Sequence, residues 1–240
     1  MFHLKLLLPC LMLANTASAQ DGDLLQYQQE VGGGIGLASY LGDAHGGFMR
    51  QPSLMGAFIW RRNLNARMVV KTDLELCHLR GTTSGRYFPT DALSHTAAGG
   101  MQAATIDFSR NVVDAGVQFE LNFLGYGLGA AYKGLSRWTP YMLAGAGITI
   151  GFGSGASTCG GINVPIGIGF RYKVRPRVNI AMEWAIHFST TDRLDDNDAA
   201  THLDAPYGIA SEGWKNKDSY QTLLLMLTYD ISPKYRKCNN

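Results

Sequence analysis

The sequence predicts an all-β fold: an eight-stranded antiparallel transmembrane β-barrel of the outer-membrane kind, with both termini at its periplasmic end. Three observations predict it. The stretch "VVDAGVQFELNF", residues 112–123, alternates Val113, Ala115, Val117, Phe119 and Leu121 with Asp114, Gly116, Gln118, Glu120 and Asn122. A period of two puts these sets on opposite faces of a strand. Seven further segments alternate in the same way over about ten residues, the length a tilted strand needs to cross a bilayer. The connections between them alternate short and long, as the turns and loops of an outer-membrane barrel do.

The first expected strand covers 28–40, with Val31, Ile35 and Leu37 on one face, and the second covers 53–61. The third, 67–80, sets Met68, Val70, Leu74 and Leu76 against Lys71, Asp73 and Glu75. The fourth begins near residue 106 and contains the quoted stretch; the fifth is 140–152. The sixth, 162–173, alternates Ile162, Val164, Ile166, Ile168, Phe170 and Tyr172 with Asn163, Gly167, Gly169, Arg171 and Lys173. The seventh, 178–189, sets Val178, Ile180, Met182, Trp184, Ile186 and Phe188 against Asn179, Glu183, His187 and Ser189. The eighth, 219–230, is more uniformly apolar, so its register is the least defined by pattern. Short connections are expected after the second, fourth and sixth strands, and longer ones near 41–51, 82–104 and 190–217, with a shorter one near 153–161.

A water-soluble sandwich would also alternate. The apolar sets here carry few charges, which favours lipid as their solvent. In lipid every backbone polar group must be bonded internally, so a spanning sheet must close. Eight strands enclose a narrow lumen that side chains fill. The polar sets then face inward, where Lys71, Asp73, Glu75, Asp114, Glu120, Arg171, Lys173 and Glu183 form a lumen charge network. Tyr27, Tyr40, Trp60, Trp138, Tyr141 and Tyr172 lie near strand ends and are expected in aromatic girdles.

Residues 1–19, "MFHLKLLLPCLMLANTASA", read as a cleaved secretory signal peptide: Lys5, an apolar run, then Ala17-Ser18-Ala19. Residues 20–240 are expected to form a single barrel domain, with 231–240 as a short periplasmic tail. The whole chain carries 21 basic and 19 acidic residues. Removing Lys5 leaves 20 − 19 = +1, a balance that gives no support to nucleic-acid binding. No apolar run approaches the ~18 residues of a membrane helix.

Four cysteines are present, and Cys10 falls in the signal peptide. Cys77 and Cys159 are both expected at the outer rim and are a candidate disulfide. Cys238, a membrane thickness away, is the odd thiol, which points to an intermolecular bond or a free group.

Three sharper patterns point to chemistry, and each falls short of it. His187 and Ser189 in "HFS" share a strand face and could form a base–nucleophile pair, but parity turns both inward, away from lipid, and no third orienting group is evident. Asp192, Asp195, Asp196 and Asp198 gather at the outer mouth without the spacing of a calcium loop. "GGGIG" at 32–36 opens no helix and so is not a phosphate loop. No catalytic residue, metal or cofactor is expected.

The stretches "VGGGIGLASYLGD", "PSLMGAFIWRRNLNARMVVK", "FSRNVVDAGVQFELNFLGYG", "WTPYMLAGAGI", "PIGIGFRYKVRPRVNIAMEWAIHFSTTDRLDD" and "KNKDSYQTLLLMLTYDISPKYRKCNN" cover most of the chain. In this order they resemble the PorG-like outer-membrane barrel component of the Bacteroidota type IX secretion system. The resemblance is most specific at "EW…TDRLDD" and in the Cys-bearing tail. It implies a non-enzymatic scaffold that anchors a periplasmic ring of a lipoprotein and a soluble partner, in a Gram-negative outer membrane of the Bacteroidota kind. On that reading Lys234, Tyr235, Arg236, Lys237 and Cys238, together with the 124–138 segment, are the expected partner contacts. Cys238 is placed for a mixed disulfide. The other reading is a small structural or adhesive barrel whose long outer loops bind lipopolysaccharide or a host surface.

Overall fold

A computed structural model describes residues 27–41, 49, 51–89, 101–128, 134–153, 158–191 and 218–233, with backbone alone for 83–89, 101–108 and 233. Eight strands follow one another: β1 (Tyr27–Leu41), β2 (Ser53–Asn63), β3 (Met68–Pro89), β4 (Met101–Asn122), β5 (Trp138–Phe152), β6 (Cys159–Arg175), β7 (Val178–Ser189) and β8 (Ser219–Pro233). Each pairs antiparallel with its sequence neighbours, and β8 pairs with β1 to close the barrel. Closure pairs every strand on both sides within the barrel wall, which is the condition for a sheet surrounded by lipid.

Burial follows strand parity in the inverted sense of a membrane barrel. On β6, Ile162, Ile166, Ile168, Phe170 and Tyr172 are exposed, while Asn163, Arg171 and Lys173 are buried. On β4, Val117 and Phe119 point out, and Asp114, Gln118 and Glu120 point in. A water-soluble sheet would place these sets the other way round. From Ile162 to Tyr172 the strand rises about 33 Å at ~3.3 Å per residue. A tilt of roughly 40° reduces this to about 25 Å, the height of the apolar band on such barrels.

The eighth strand, whose pattern was ambiguous, is fixed by its two partners. Leu227 lies opposite both Gly33 and Ile180, which turns Leu225, Leu227 and Tyr229 outward. Tyr220, Thr222, Leu224, Met226, Thr228 and Asp230 turn inward.

Three expectations are corrected. The 82–104 stretch is not simply a loop, because β3 and β4 continue as a paired ladder out to Pro89↔Met101, with an irregularity between Thr83 and Arg86. Tyr40 and Tyr141 are not girdle residues: both are fully buried in the lumen. Their strand parity aligns them with inward neighbours, and position near a strand end does not override it. Cys77 and Cys159 are free, buried thiols. The ladder Cys77↔Val112, Val112↔Gly151, Gly151↔Cys159 separates them by three strand steps. At ~4.8 Å per step that is about 14 Å of wall, well beyond the ~7 Å limit between bridged Cα atoms.

Two glycines make the packing possible. At Gly36 a Cβ would stand 2.1 Å from the Leu223 carbonyl oxygen of β8, so the β1–β8 seam closes only over a bare backbone. At Gly169 a Cβ would lie 2.3 Å from the Tyr141 ring, which occupies that space inside the lumen.

Candidate functional site: the lumen and the short-turn mouth

The lumen is filled by side chains that bond across it at successive levels. Nearest the short-turn end, Lys173 Nζ lies 2.6 Å from Asp230 Oδ2 and 2.7 Å from Asn179 Oδ1. Asn179 Nδ2 donates to the other oxygen of Asp230 at 2.8 Å.

Above this lies a box of two arginines and two glutamates. Arg61 Nε donates to Glu120 at 2.9 Å and Arg61 Nη1 to Glu30 at 3.2 Å. Arg171 donates to the second oxygen of Glu30, and lies 3.5 Å from the second oxygen of Glu120. Thr228 also donates to Glu30. The four charges come from β1, β2, β4 and β6, so the box ties opposite walls together.

The next level is Lys71, Asp73 and Glu183. Lys71 Nζ is 2.6 Å from Glu183 and 3.2 Å from Asp73. Tyr141 donates its phenol to Glu183 at 2.8 Å, and Gln118 donates to Asp73 at 2.6 Å. Nearer the long-loop end, Asp114 accepts from Thr149 at 2.7 Å, and also from Asn163 and Tyr220. Tyr220 stacks on His187 with ring centroids 4.5 Å apart. His187 stands 3.8 Å from Glu75 and 3.9 Å from Asp114. Arg110 donates to the Cys159 sulfur at 2.8 Å.

All eight residues named for the lumen network are buried side chains of the inner face. The structure groups them by level: Lys71 with Asp73 and Glu183, Arg171 with Glu120, Lys173 apart with Asp230, and Glu75 with Asp114 around His187. Sequence reasoning missed Glu30 and Arg61, which complete the central box. The signal was present. Glu30 shares parity with Gly32, Gly34 and Gly36, and Arg61 with Met55, Ala57 and Ile59, but both sit at strand ends beside other polar residues.

The short-turn mouth is covered from below. The segment between β4 and β5 folds back through Tyr126 N to Ala66 O at 2.9 Å, and a short parallel bridge joins Tyr126 to Ser136. Tyr126 is thereby placed under the lumen, its ring 4.6 Å from the Arg171 guanidinium and 5.2 Å from Lys173 Nζ. Its hydroxyl donates to Asn179 at 2.8 Å. Burial pushes the Tyr126 phenol well above its ordinary pKa, against the opposing pull of Arg171. A cavity of about 30 Å³, roughly one water, remains beside it between Asn65, Asn122, Lys173 and Asp230.

This arrangement is suited to rigidity. His187 Nε2 faces Thr222 at 3.3 Å, and Ser189 Oγ accepts from the Thr191 backbone at 3.2 Å. Among the described residues no hydrogen bond joins His187 to Ser189, and none of their acidic, histidine and cysteine clusters is placed to hold a metal ion. Asp192, Asp195, Asp196 and Asp198, and the tail residues Lys234, Tyr235, Arg236, Lys237 and Cys238, lie outside the described residues.

No family model and no curated sequence matches the chain. Solved structures do. The crystal structure of neisserial surface protein A, NspA, is 9% identical with a TM-score of 0.50, covering 85% of this chain and 97% of that one. Ail, the attachment invasion locus protein of Yersinia pestis, solved with the heparin analogue sucrose octasulfate, is 12% identical with a TM-score of 0.45, covering 86% and 100%. The N-terminal β-barrel domain of Pseudomonas aeruginosa OprF is 10% identical with a TM-score of 0.40, covering 85% and 98%. The likeness to the neisserial protein is one of fold: this chain is a closed eight-stranded antiparallel barrel of the outer-membrane type.

Proposed function

We propose that the protein is a non-enzymatic scaffold of the outer membrane, working from its periplasmic end as a component of a type IX protein secretion apparatus. In this reading residues 1–19 are removed on export. Residues 20–240 form the barrel, and its short-turn face and tail hold a periplasmic ring of lipoprotein and soluble partner. The observation that carries the scaffold reading is the filled lumen. Among the described residues, ion pairs at 0–1% exposure cross between opposite walls, which supports an anchor over a conduit. The described residues 123–128 and 134–137, held to Ala66 and, through the Tyr126 ring, to Lys173, support a preformed contact surface on the periplasmic side. The type IX assignment itself rests on the resemblance of the sequence stretches.

The second reading is a barrel that binds lipopolysaccharide or a host surface from outside. The β3–β4 ladder favours it, since it continues paired to Pro89↔Met101, past the strand ends that the alternation predicts, toward the long-loop side.

The two are separated by trimming the β3–β4 hairpin beyond Thr83. Secretion of type IX cargo by the trimmed strain at the parental level supports the scaffold. Loss of surface binding with secretion absent from the wild type as well would overturn it.

A further inference from the structure

The outer wall carries a dent of about 450 Å³ lined by Gly33, Ile35, Ile180, Leu225 and Leu227. Its floor is Gly33, which lies opposite Leu227 on β8 and Phe58 on β2. With no side chain at Gly33 between Ile35, Leu225 and Leu227, the apolar outer wall is recessed there, facing lipid.

The same three strands carry a fixed cation at the short-turn rim. Arg177 Nε donates to the Tyr27 hydroxyl at 3.1 Å and Nη1 donates to the Tyr229 hydroxyl at 3.3 Å. The guanidinium also stands 5.3 Å from the centroid of the Tyr27 ring. Nη2 has no hydrogen-bond partner among the described residues, and the side chain is exposed. The register links cation and dent. Tyr229 is two residues from Leu227, and Arg177 three from Ile180, separations of about 7 and 10 Å along the strands. That is the distance from a glycerol phosphate to the upper part of its acyl chain.

Among the described residues, exposed charge around the rim has one sign. Arg62, Arg67, Arg137, Arg175 and Arg177 are all at least partly exposed there, whereas every acidic side chain described is buried. The exposed end of the wall therefore attracts anions, and the aromatic belt of Trp60, Trp138, Tyr172 and Tyr229 puts it at headgroup level.

We propose that this β7–β8–β1 face binds one phospholipid of the periplasmic leaflet, with Arg177 on its phosphate and one acyl chain in the dent floored by Gly33. Tyr27 and Tyr229 hold the guanidinium at the membrane surface, so the fork is oriented before the lipid arrives.

The test is native mass spectrometry of the refolded full chain in detergent, titrated with dioleoyl phosphatidylglycerol, with its headgroup glycerophosphoglycerol alone, and with dioleoylglycerol. Arg177→Gln removes the cation. Ile180→Trp fills the dent from an outward position and leaves the lumen untouched. Arg67→Gln changes the rim charge elsewhere. Heat-modifiable gel migration checks folding of each. The expected result is a single tight adduct with phosphatidylglycerol only, weakened at least tenfold by Arg177→Gln and by Ile180→Trp and retained in Arg67→Gln. Equal adducts in wild type and Ile180→Trp would overturn the proposal, as would equal binding of the headgroup alone or of dioleoylglycerol.

Discussion

Arg61 on β2 and Arg171 on β6 stand on opposite walls of the barrel and share the same two carboxylates, Glu30 and Glu120. Each glutamate offers one oxygen to each arginine. All four side chains are 0–1% exposed, so the charges have no solvent to fall back on. Removing one partner strands the others, which costs about 3–5 kcal/mol in a buried pair. Arg61→Met is therefore expected to lower stability by that amount, read as the urea midpoint of refolding into lipid vesicles. Replacing Arg61 and Glu30 together by Met and Gln should cost less than the sum of the single changes, because each single change leaves an unpaired charge. Additive losses would mean the box is not coupled.

Tyr141 and Gly169 form a second coupled pair. A methyl at position 169 meets the Tyr141 ring, whose hydroxyl is anchored on Glu183. Gly169→Ala should destabilise by about 1–3 kcal/mol, the usual cost of overpacking. Tyr141→Ala in the same chain should recover most of that increment, and its persistence in the double variant would locate the strain in the backbone instead.

The mouth closed by Tyr126 gives a pH dependence with a defined sign. Its phenol is raised by burial and must stay neutral to donate to Asn179. A raised folded pKa means its contribution is complete below the unfolded value near 10 and is lost as pH rises through the folded value. Wild-type stability should therefore fall more steeply than that of Tyr126→Phe above pH ~10, and the two should run parallel from pH 6 to 9. Identical slopes up to pH 11 would place the phenol in open solvent.

Cys77 and Cys159 should behave as buried, unbridged thiols. In a Cys238→Ser chain, a membrane-impermeant maleimide is expected to add to neither in the folded barrel and to both after unfolding without reductant. A pair that labels only after reduction would restore the disulfide that the ladder separates.

The lipid-facing register was legible because lipid imposes it on every second residue: Ile162, Ile166, Ile168 and Phe170 could not be elsewhere. Where lipid stops constraining the chain, the pattern fades. Residues 82–89 and 101–104 continue the β3–β4 ladder beyond the alternating runs, so their mixed sequence reads as loop. Place near a strand end suggests a girdle for Tyr40 and Tyr141, but parity with Ala38 and Thr139 turns them inward. The central box was half legible. Glu120 and Arg171 sit within strongly alternating runs, whereas Glu30 opens a glycine-rich strand and Arg61 adjoins Arg62. Tyr126 was invisible to periodicity, since it lies in a connection and acts only through the tertiary fold that carries it under the mouth.

The scaffold reading is tested most directly by photo-cross-linking in native envelopes from two single positions, Ser136 in the segment under the periplasmic mouth and Thr190 at the long-loop end. The expected result is a specific adduct from 136 with a periplasmic lipoprotein of the secretion ring, and none from 190. Adducts from 190 with lipopolysaccharide or a surface component, with 136 silent, would contradict it and make the barrel a surface-binding protein.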